Sequence, residues 1–311
     1  MRIHKAFTMI ELIFVIIILG IVASISSEII VQVYKSFIIQ KAAHKSSIKS
    51  ELTINQIANR LLYRIDLSMI ARKPGQTGIV EGTDVYSANE VPITGTTNVD
   101  VFTAMEWIAY DNDGFAQSNQ PAWSGFTDLA LSTFNNLITT GSKLTNETTI
   151  LNNLAGAVAS NPAIVFNTLL YRPGGANIYD TLCMYQANGC IFPVTITSDT
   201  NLSFTGGGNR TAGQMIYSEF YTFAASAYAI VPENNTTVNG ITIWELALYS
   251  DYQPWLGENY KDNGTRSLLA RNVSVFRFKQ ELNSIRVKIC TLARLNETEQ
   301  ISTCKEKSVI R

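Results

Sequence analysis

Histidine is nearly absent from this chain: two occur in 311 residues, His4 and His44. Beyond residue 44 there is no imidazole to act as a general base or to bind zinc, which excludes most hydrolytic triads and histidine-based zinc sites from the larger part of the molecule. Charge is scarce as well. Asp, Glu, Lys and Arg make up 16% of the residues and the formal net charge is -1, so no basic excess points to nucleic acid or an anionic lipid surface. Proline does not occur before Pro74, and everything ahead of it is free to form unbroken helix. The glycine-rich sites, Gly174 with Gly175 and Gly206 to Gly208, have no Lys at phosphate-loop spacing and read as turn formers.

Cysteine is limited to four positions: Cys183, Cys190, Cys290 and Cys304. An even number in an exported segment reads as disulfides, with three possible connectivities. Cys183 with Cys190 and Cys290 with Cys304 are the favoured pairs, because each closes a short local loop; a loop of about fifteen residues implies stabilisation on the order of 3 kcal/mol. A four-thiolate metal site would need a two-residue spacing that is missing.

What the chain does have is apolar residues, 46% of the total, enough to build one large or two modest cores. They are densest in AFTMIELIFVIIILGIVASI, Ala6 to Ile25, directly behind Arg2, Ile3, His4 and Lys5. Phe7 to Ile25 is nineteen residues with one formal charge, Glu11, and is long enough to cross a bilayer as a helix. A carboxylate at that depth costs about 2.5 to 3.5 kcal/mol on insertion scales, so it needs a partner. A cut between Ala6 and Phe7 would supply one, since Glu11 then becomes the fifth residue and can meet the terminal ammonium of a neighbouring copy. An ordinary signal peptide cut near Ser24, Ile25 and Ser26 is argued against by Glu11 inside its apolar core. An ordinary signal anchor needs only length and basic flanks.

The run KAFTMIEL resembles the processing site of type IV prepilins and type II secretion pseudopilins. That resemblance implies that Ala6 precedes the cleaved bond, that Phe7 becomes an N-methylated terminus, and that Glu11 pairs with an adjacent subunit during assembly. It also implies three partners: the prepilin peptidase, other pilin-like subunits and an inner-membrane assembly platform. Ala6 departs from the family, which usually has Gly there, and slower processing is expected. The likeness covers roughly the first thirty residues.

After Ile38 the pattern turns amphipathic. Ile54, Ile57, Ala58, Leu61, Leu62, Ile65 and Met69 form one apolar stripe, which predicts a helix from Phe7 to Arg72, ended by Lys73, Pro74 and Gly75. Its 66 residues would reach about 99 Å. His44 reads as a solvated residue on it. The resulting layout is a leader, 1–6; a transmembrane and amphipathic helix, 7–72; and a β-rich head, 73–311. The fold class is α+β and pilin-like.

In the head, Val99 to Tyr110 reads as a strand leading into Asp111, Asn112, Asp113 and Gly114. These resemble part of a calcium loop, with Asp111 and Asp113 as candidate ligands, but lack the other acids of an EF-hand; a plain Asp-Gly turn is preferred. Helical pieces are expected over Asp128 to Ile138 and Asn152 to Ser160, and a buried strand over Ala163 to Tyr171. Gln214 to Val231 and Ile241 to Tyr249 read as antiparallel strands separated by an extended loop, PENNTTVNG. Two more strands span Arg266 to Leu292, joined near Glu281 to Ser284, and Cys304 to Arg311 reads as a final edge strand. The order of these tail segments resembles the C-terminal sheet of J-class minor pseudopilins and W-class minor pilins.

The resemblance implies a minor structural subunit of a type II secretion pseudopilus or type IV pilus. It would be single-pass in the bacterial inner membrane, N-terminus cytoplasmic and head periplasmic, before entering a filament. No enzymatic activity and no cofactor are expected; calcium at Asp111 and Asp113 is a candidate to which the plain turn is preferred. A pilus-tip adhesin or a DNA-uptake pilin is the alternative, although no basic, aromatic-interleaved patch marks a DNA site. A membrane-tethered exported enzyme is disfavoured by the missing histidines and by the lack of a recognisable nucleophile.

Overall fold

Helix α1 runs from Met9 to Leu61, with no proline and with Gly20 as its one glycine. It opens the computed structural model, which describes residues 8–65, 68–80, 83–87, 101–155, 161–166, 184–185, 190–205, 218–281, 283–296 and 299–310. The helix expected to reach Arg72 therefore stops earlier. Past Leu61 the backbone turns and exchanges helical bonds for sheet bonds: Ile65 N–H donates to Ile108 O at 2.8 Å and Tyr110 N–H to Tyr63 O at 2.9 Å. Ile65 and Met69 remain buried although the helical period no longer holds, whereas Leu62, expected on the same stripe, is exposed.

The strands after α1 are β1 (Ile70–Arg72), β2 (Val85–Ser87), β3 (Ala104–Tyr110), β4 (Asn136–Ile138), β5 (Ala163–Phe166), β6 (Phe192–Ser198), β7 (Asn201–Phe204), β8 (Tyr221–Val238), β9 (Ile241–Tyr252), β10 (Thr265–Glu281), β11 (Ser284–Arg294) and β12 (Gln300–Ile310). Two short helices interrupt them, α2 (Asn112–Phe115) and α3 (Leu144–Ala155). All pairings are antiparallel, in the order β12-β11-β10-β9-β8-β5-β6-β7-β4, with β3 also on β8 and β1 between β2 and β3. An α+β fold with a long N-terminal helix on an antiparallel head is the architecture present.

Strand β8 is the spine of the head. Ala229 pairs with Glu106 of β3 and with Tyr249 of β9, while Ala224 pairs with Tyr110 and with Ala163 of β5. Alanines at these inner positions are small enough for packed layers to close over both faces, and Ala224, Ala227 and Ala229 are buried. The extended loop expected between β8 and β9 is instead mostly ladder, down to Val238 opposite Ile241. Only Asn239 and Gly240 turn, with φ of 48° and 77°, the positive pair that a two-residue primed turn requires. Polar Asn and Thr there resembled a loop because both faces of this hairpin end meet water.

Expected strands over Arg266 to Leu292 are present as β10 and β11, closed by Glu281 opposite Ser284. The tail is the edge strand β12, with Cys304 directly opposite and disulfide-bonded to Cys290. By contrast, the helix expected over Asp128 to Ile138 is absent. Asp128 Oδ1 accepts from Ala130 N and Leu131 N in a local turn, and Leu137 enters β4, buried opposite Leu202. The side-chain acceptor competes with helix for the same N–H groups. Helical residues of the Asn152 to Ser160 expectation are present only through the end of α3; 156–160, like 167–171 of the expected strand after Ala163, lie outside the described residues.

The second half of α1 lies across β11 and β12. Ile54, Ile57, Ala58 and Leu61 join Trp107, Ile230, Leu246 and Ile289 in one core. Burial of such side chains contributes about 1.5 to 3 kcal/mol each. Higher on the same face the contact is polar and close. Ser46 Oγ donates to Thr291 O at 2.9 Å, and Ser50 Oγ lies 2.8 Å from Thr291 Oγ1 and 3.2 Å from Thr303 O. Serine and threonine here let the helix axis approach the sheet without burying unsatisfied hydroxyls. Inside the head, Arg72 Nε meets Glu106 Oε2 at 2.6 Å with both side chains buried, and Tyr252 OH donates to Glu106 Oε1 at 2.6 Å. This network fastens β1, β3 and β9 together.

Candidate functional site

Thr8 is the N-cap of α1, and with Glu11 it forms a capping box. Glu11 N–H donates to Thr8 Oγ1 at 3.4 Å, while Glu11 Oε2 accepts from Thr8 N at 3.4 Å and from Thr8 Oγ1 at 3.3 Å. A carboxylate in the first turn also faces the positive end of the helix dipole. The single acid of the apolar stretch is therefore held next to the chain start rather than pointed at random. Ala6 and Phe7, the expected cleavage and methylation positions, lie outside the described residues.

From Met9 to Lys45 the helix buries nothing: its first buried residue is Ser46. That clear length is about 55 Å at 1.5 Å per residue, well beyond the ~30 Å of a hydrocarbon core. The helix is long and apolar enough to cross a membrane. Ile13, Phe14, Ile17, Ile21 and Ile25 are each more than half exposed on it. So large a run of exposed apolar side chains demands lipid or other helices as its surroundings. His44 is exposed, as expected of a solvated helix residue.

In the head, the structure separates the two calcium candidates. Asp111 is buried at the N-cap of α2, where its Oδ2 accepts from Gly114 N–H at 2.7 Å and from Trp123 Nε1 at 3.2 Å. Asp113 is exposed. Asp111, Asn112, Asp113 and Gly114 thus form the start of a short helix, not an open Asp-Gly turn. The side chain that does face Asp111 is Glu147 from α3, fully buried. Burial, and next the Asp111 charge, push Glu147 up to about 9; burial also raises Asp111. Among the described residues no group of three or more His, Cys, Asp or Glu side chains is placed to hold a metal ion. Reading along the sequence missed Glu147 because it is remote from Asp111 and sits among Thr and Asn residues that look like surface.

Of the cysteines, Cys290 and Cys304 form the expected pair. Cys190 is disulfide-bonded, and Cys183 lies outside the described residues.

Residues 1–27 match the family described as the prokaryotic N-terminal methylation motif. No curated protein and no solved structure matches the chain. The chain therefore carries a type IV pilin-like prepilin signal, and signal and apolar helix together support membrane anchoring. Joined to a long helix and an antiparallel head, the motif supports a pilin-like subunit, and a signal of this type implies in general assembly with other pilin subunits and action of the prepilin peptidase.

Proposed function

We propose that this protein is a minor structural subunit of a type II secretion pseudopilus or type IV pilus, cut between Ala6 and Phe7 and N-methylated on Phe7. The observation that carries the reading is the apolar part of α1: clear of the head, of spanning length, charged up to Ile25 only at Glu11 in its first turn, and lying within a methylation motif. Before assembly it holds the subunit in the inner membrane with the head on the periplasmic side. After extraction by the assembly platform, the same half-helices bundle as the filament core. Glu11 then pairs with the terminal ammonium of Phe7 in an adjacent copy, and because an unpaired buried charge costs several kcal/mol, that pairing selects one register. A head of this size fits a position at the tip or in an initiation complex better than a tightly packed shaft.

Mass spectrometry of the membrane-extracted protein tests the processing step: a chain that starts at methylated Phe7 is expected, and one that starts at Met1 or near Ser26 refutes it. Glu11→Ala is expected to leave cleavage intact and to reduce recovery of the subunit in sheared filaments at least tenfold. Normal incorporation of that variant would refute the pairing.

A further inference from the structure

Strand β10 has two neighbours along only part of its length. It pairs with β9 from Thr265 to Val273, where the last partner is Trp244, and with β11 from Val273 to Glu281. Bulges between Leu268 and Ala270 and between Ala270 and Val273, with Asn272 at φ 58°, bend β10 away from β9 there. From Ser274 to Phe276 the edge that had faced β9 therefore has no strand against it among the described residues. Strand β8 opens in the same region. Its pairing with β3 stops at Ile230 opposite Met105, and from Pro232 onward β9 is its one strand neighbour among the described residues.

The two open edges flank a cleft of about 500 Å³. Pro232, Glu233, Asn234 and Asn235 line it from β8, and Ser274, Val275, Phe276 and Arg277 from β10. Successive side chains of a strand point to opposite faces, so four consecutive lining residues mean that β10 turns its edge to the cleft. Such an edge presents N–H and C=O groups at every second residue, and another extended chain matches that spacing. The half-buried Trp244, Val101 and Pro74 add apolar wall. Glu233 is already paired with Arg266 at 2.9 Å and makes no demand for a cationic ligand.

We propose that this cleft binds an extended peptide segment of a partner protein, added as a strand to the open edge of β10 with an apolar side chain against Trp244. Four residues of strand span about 13 Å at 3.3 Å per residue, and the cleft falls within the ~300–1,000 Å³ of ligand pockets. The bound strand closes the fork between the β8–β9 and β10–β11 hairpins. This site stands independently of the filament reading.

The test pans a phage-displayed library of random heptapeptides on the detergent-solubilised full-length protein and then measures the enriched peptides in synthetic form. Enrichment is expected, and N-methylation of alternate peptide amides, which removes pairing hydrogen bonds and keeps the side chains, should weaken binding at least tenfold. Asn235→Trp, which fills the cleft from an exposed position, should weaken it as much while leaving Tm unchanged. If that variant unfolds, the N-methylated peptides decide the matter on the wild type alone. Hydrogen exchange of amides 274–276 should slow when peptide is bound. No enriched peptide overturns the proposal, and so does equal binding of the N-methylated forms. Amides 274–276 that are fully protected without peptide would mean that the chain covers this edge itself, and protection that grows with protein concentration alone would assign it to a second copy; either result overturns the proposal.

Discussion

Two acids in this protein occupy places where acids are costly, and their surroundings differ. Glu11 lies in an apolar helix but at its exposed first turn, where the Thr8 backbone and the helix dipole receive it. Glu147 is buried, shares a hydrogen bond with the Asp111 carboxyl, and is raised to about 9 by burial and by the Asp111 charge. That shift makes stability depend on pH. Between the unfolded value of 4.5 and the folded value of about 9 the native state binds a proton that the unfolded state has lost. Stability is therefore full at and below the lower value, falls as pH rises by up to about 1.4 kcal/mol per unit, and levels off above the higher value. Denaturant titrations from acid to alkaline pH should show this decline in the wild type and a flatter profile in Glu147→Gln. The pair itself was only half legible in the sequence: Asp111 stood in a recognisable Asp-Asn-Asp-Gly run, but nothing local to Glu147 connects it with that run.

At the scale of elements, a buried polar helix-to-sheet contact sits beside the disulfide. Thr291, which receives Ser46 and Ser50, follows Cys290, and Thr303, whose carbonyl accepts from Ser50, precedes Cys304. The crosslink holds edge strand β12 against β11 under the point where α1 crosses them. Replacing both Cys290 and Cys304 by Ser should cost roughly 3 kcal/mol, as for a loop of about fifteen residues, read as a lower denaturant midpoint with β12 amides exchanging first. These tail strands were readable because Ile285, Val287 and Ile289 are buried in alternation with exposed Arg286 and Lys288, while in β10 a bulge between Val273 and Val275 moves the buried face to Phe276. The β8–β9 hairpin was underestimated and the Asp128 to Ile138 segment was read as helix for one shared reason: polar Asn, Thr, Ser and Asp side chains serve turns, caps and solvent-facing strands equally well, and only pairing partners distinguish them.

For the whole molecule, α1 divides into a half that buries nothing and a half that is part of the head. Substitutions should divide the same way. Ile57→Ala, at a position 1% exposed among Trp107, Ile230 and Ile289, should destabilise the head by about 2 to 5 kcal/mol. Ile17→Ala, at a position 53% exposed, should leave the head's Tm in detergent within the error of measurement while weakening membrane retention or filament recovery. Comparable losses of head stability from both would contradict the division.

The sequence by itself determined what depends on short-range pattern: the prepilin-type signal with Glu11 inside it, an apolar helix of spanning length, an α+β head and the pairing of Cys290 with Cys304. Only the tertiary structure decided where α1 ends, since Ile65 and Met69 keep a helical stripe that β3 converts to sheet contact. It alone brought Arg72 to Glu106, and Glu147 to Asp111. Periodicity records which side of an element is buried; which residues meet inside depends on how distant strands pair, and no local signal carries that.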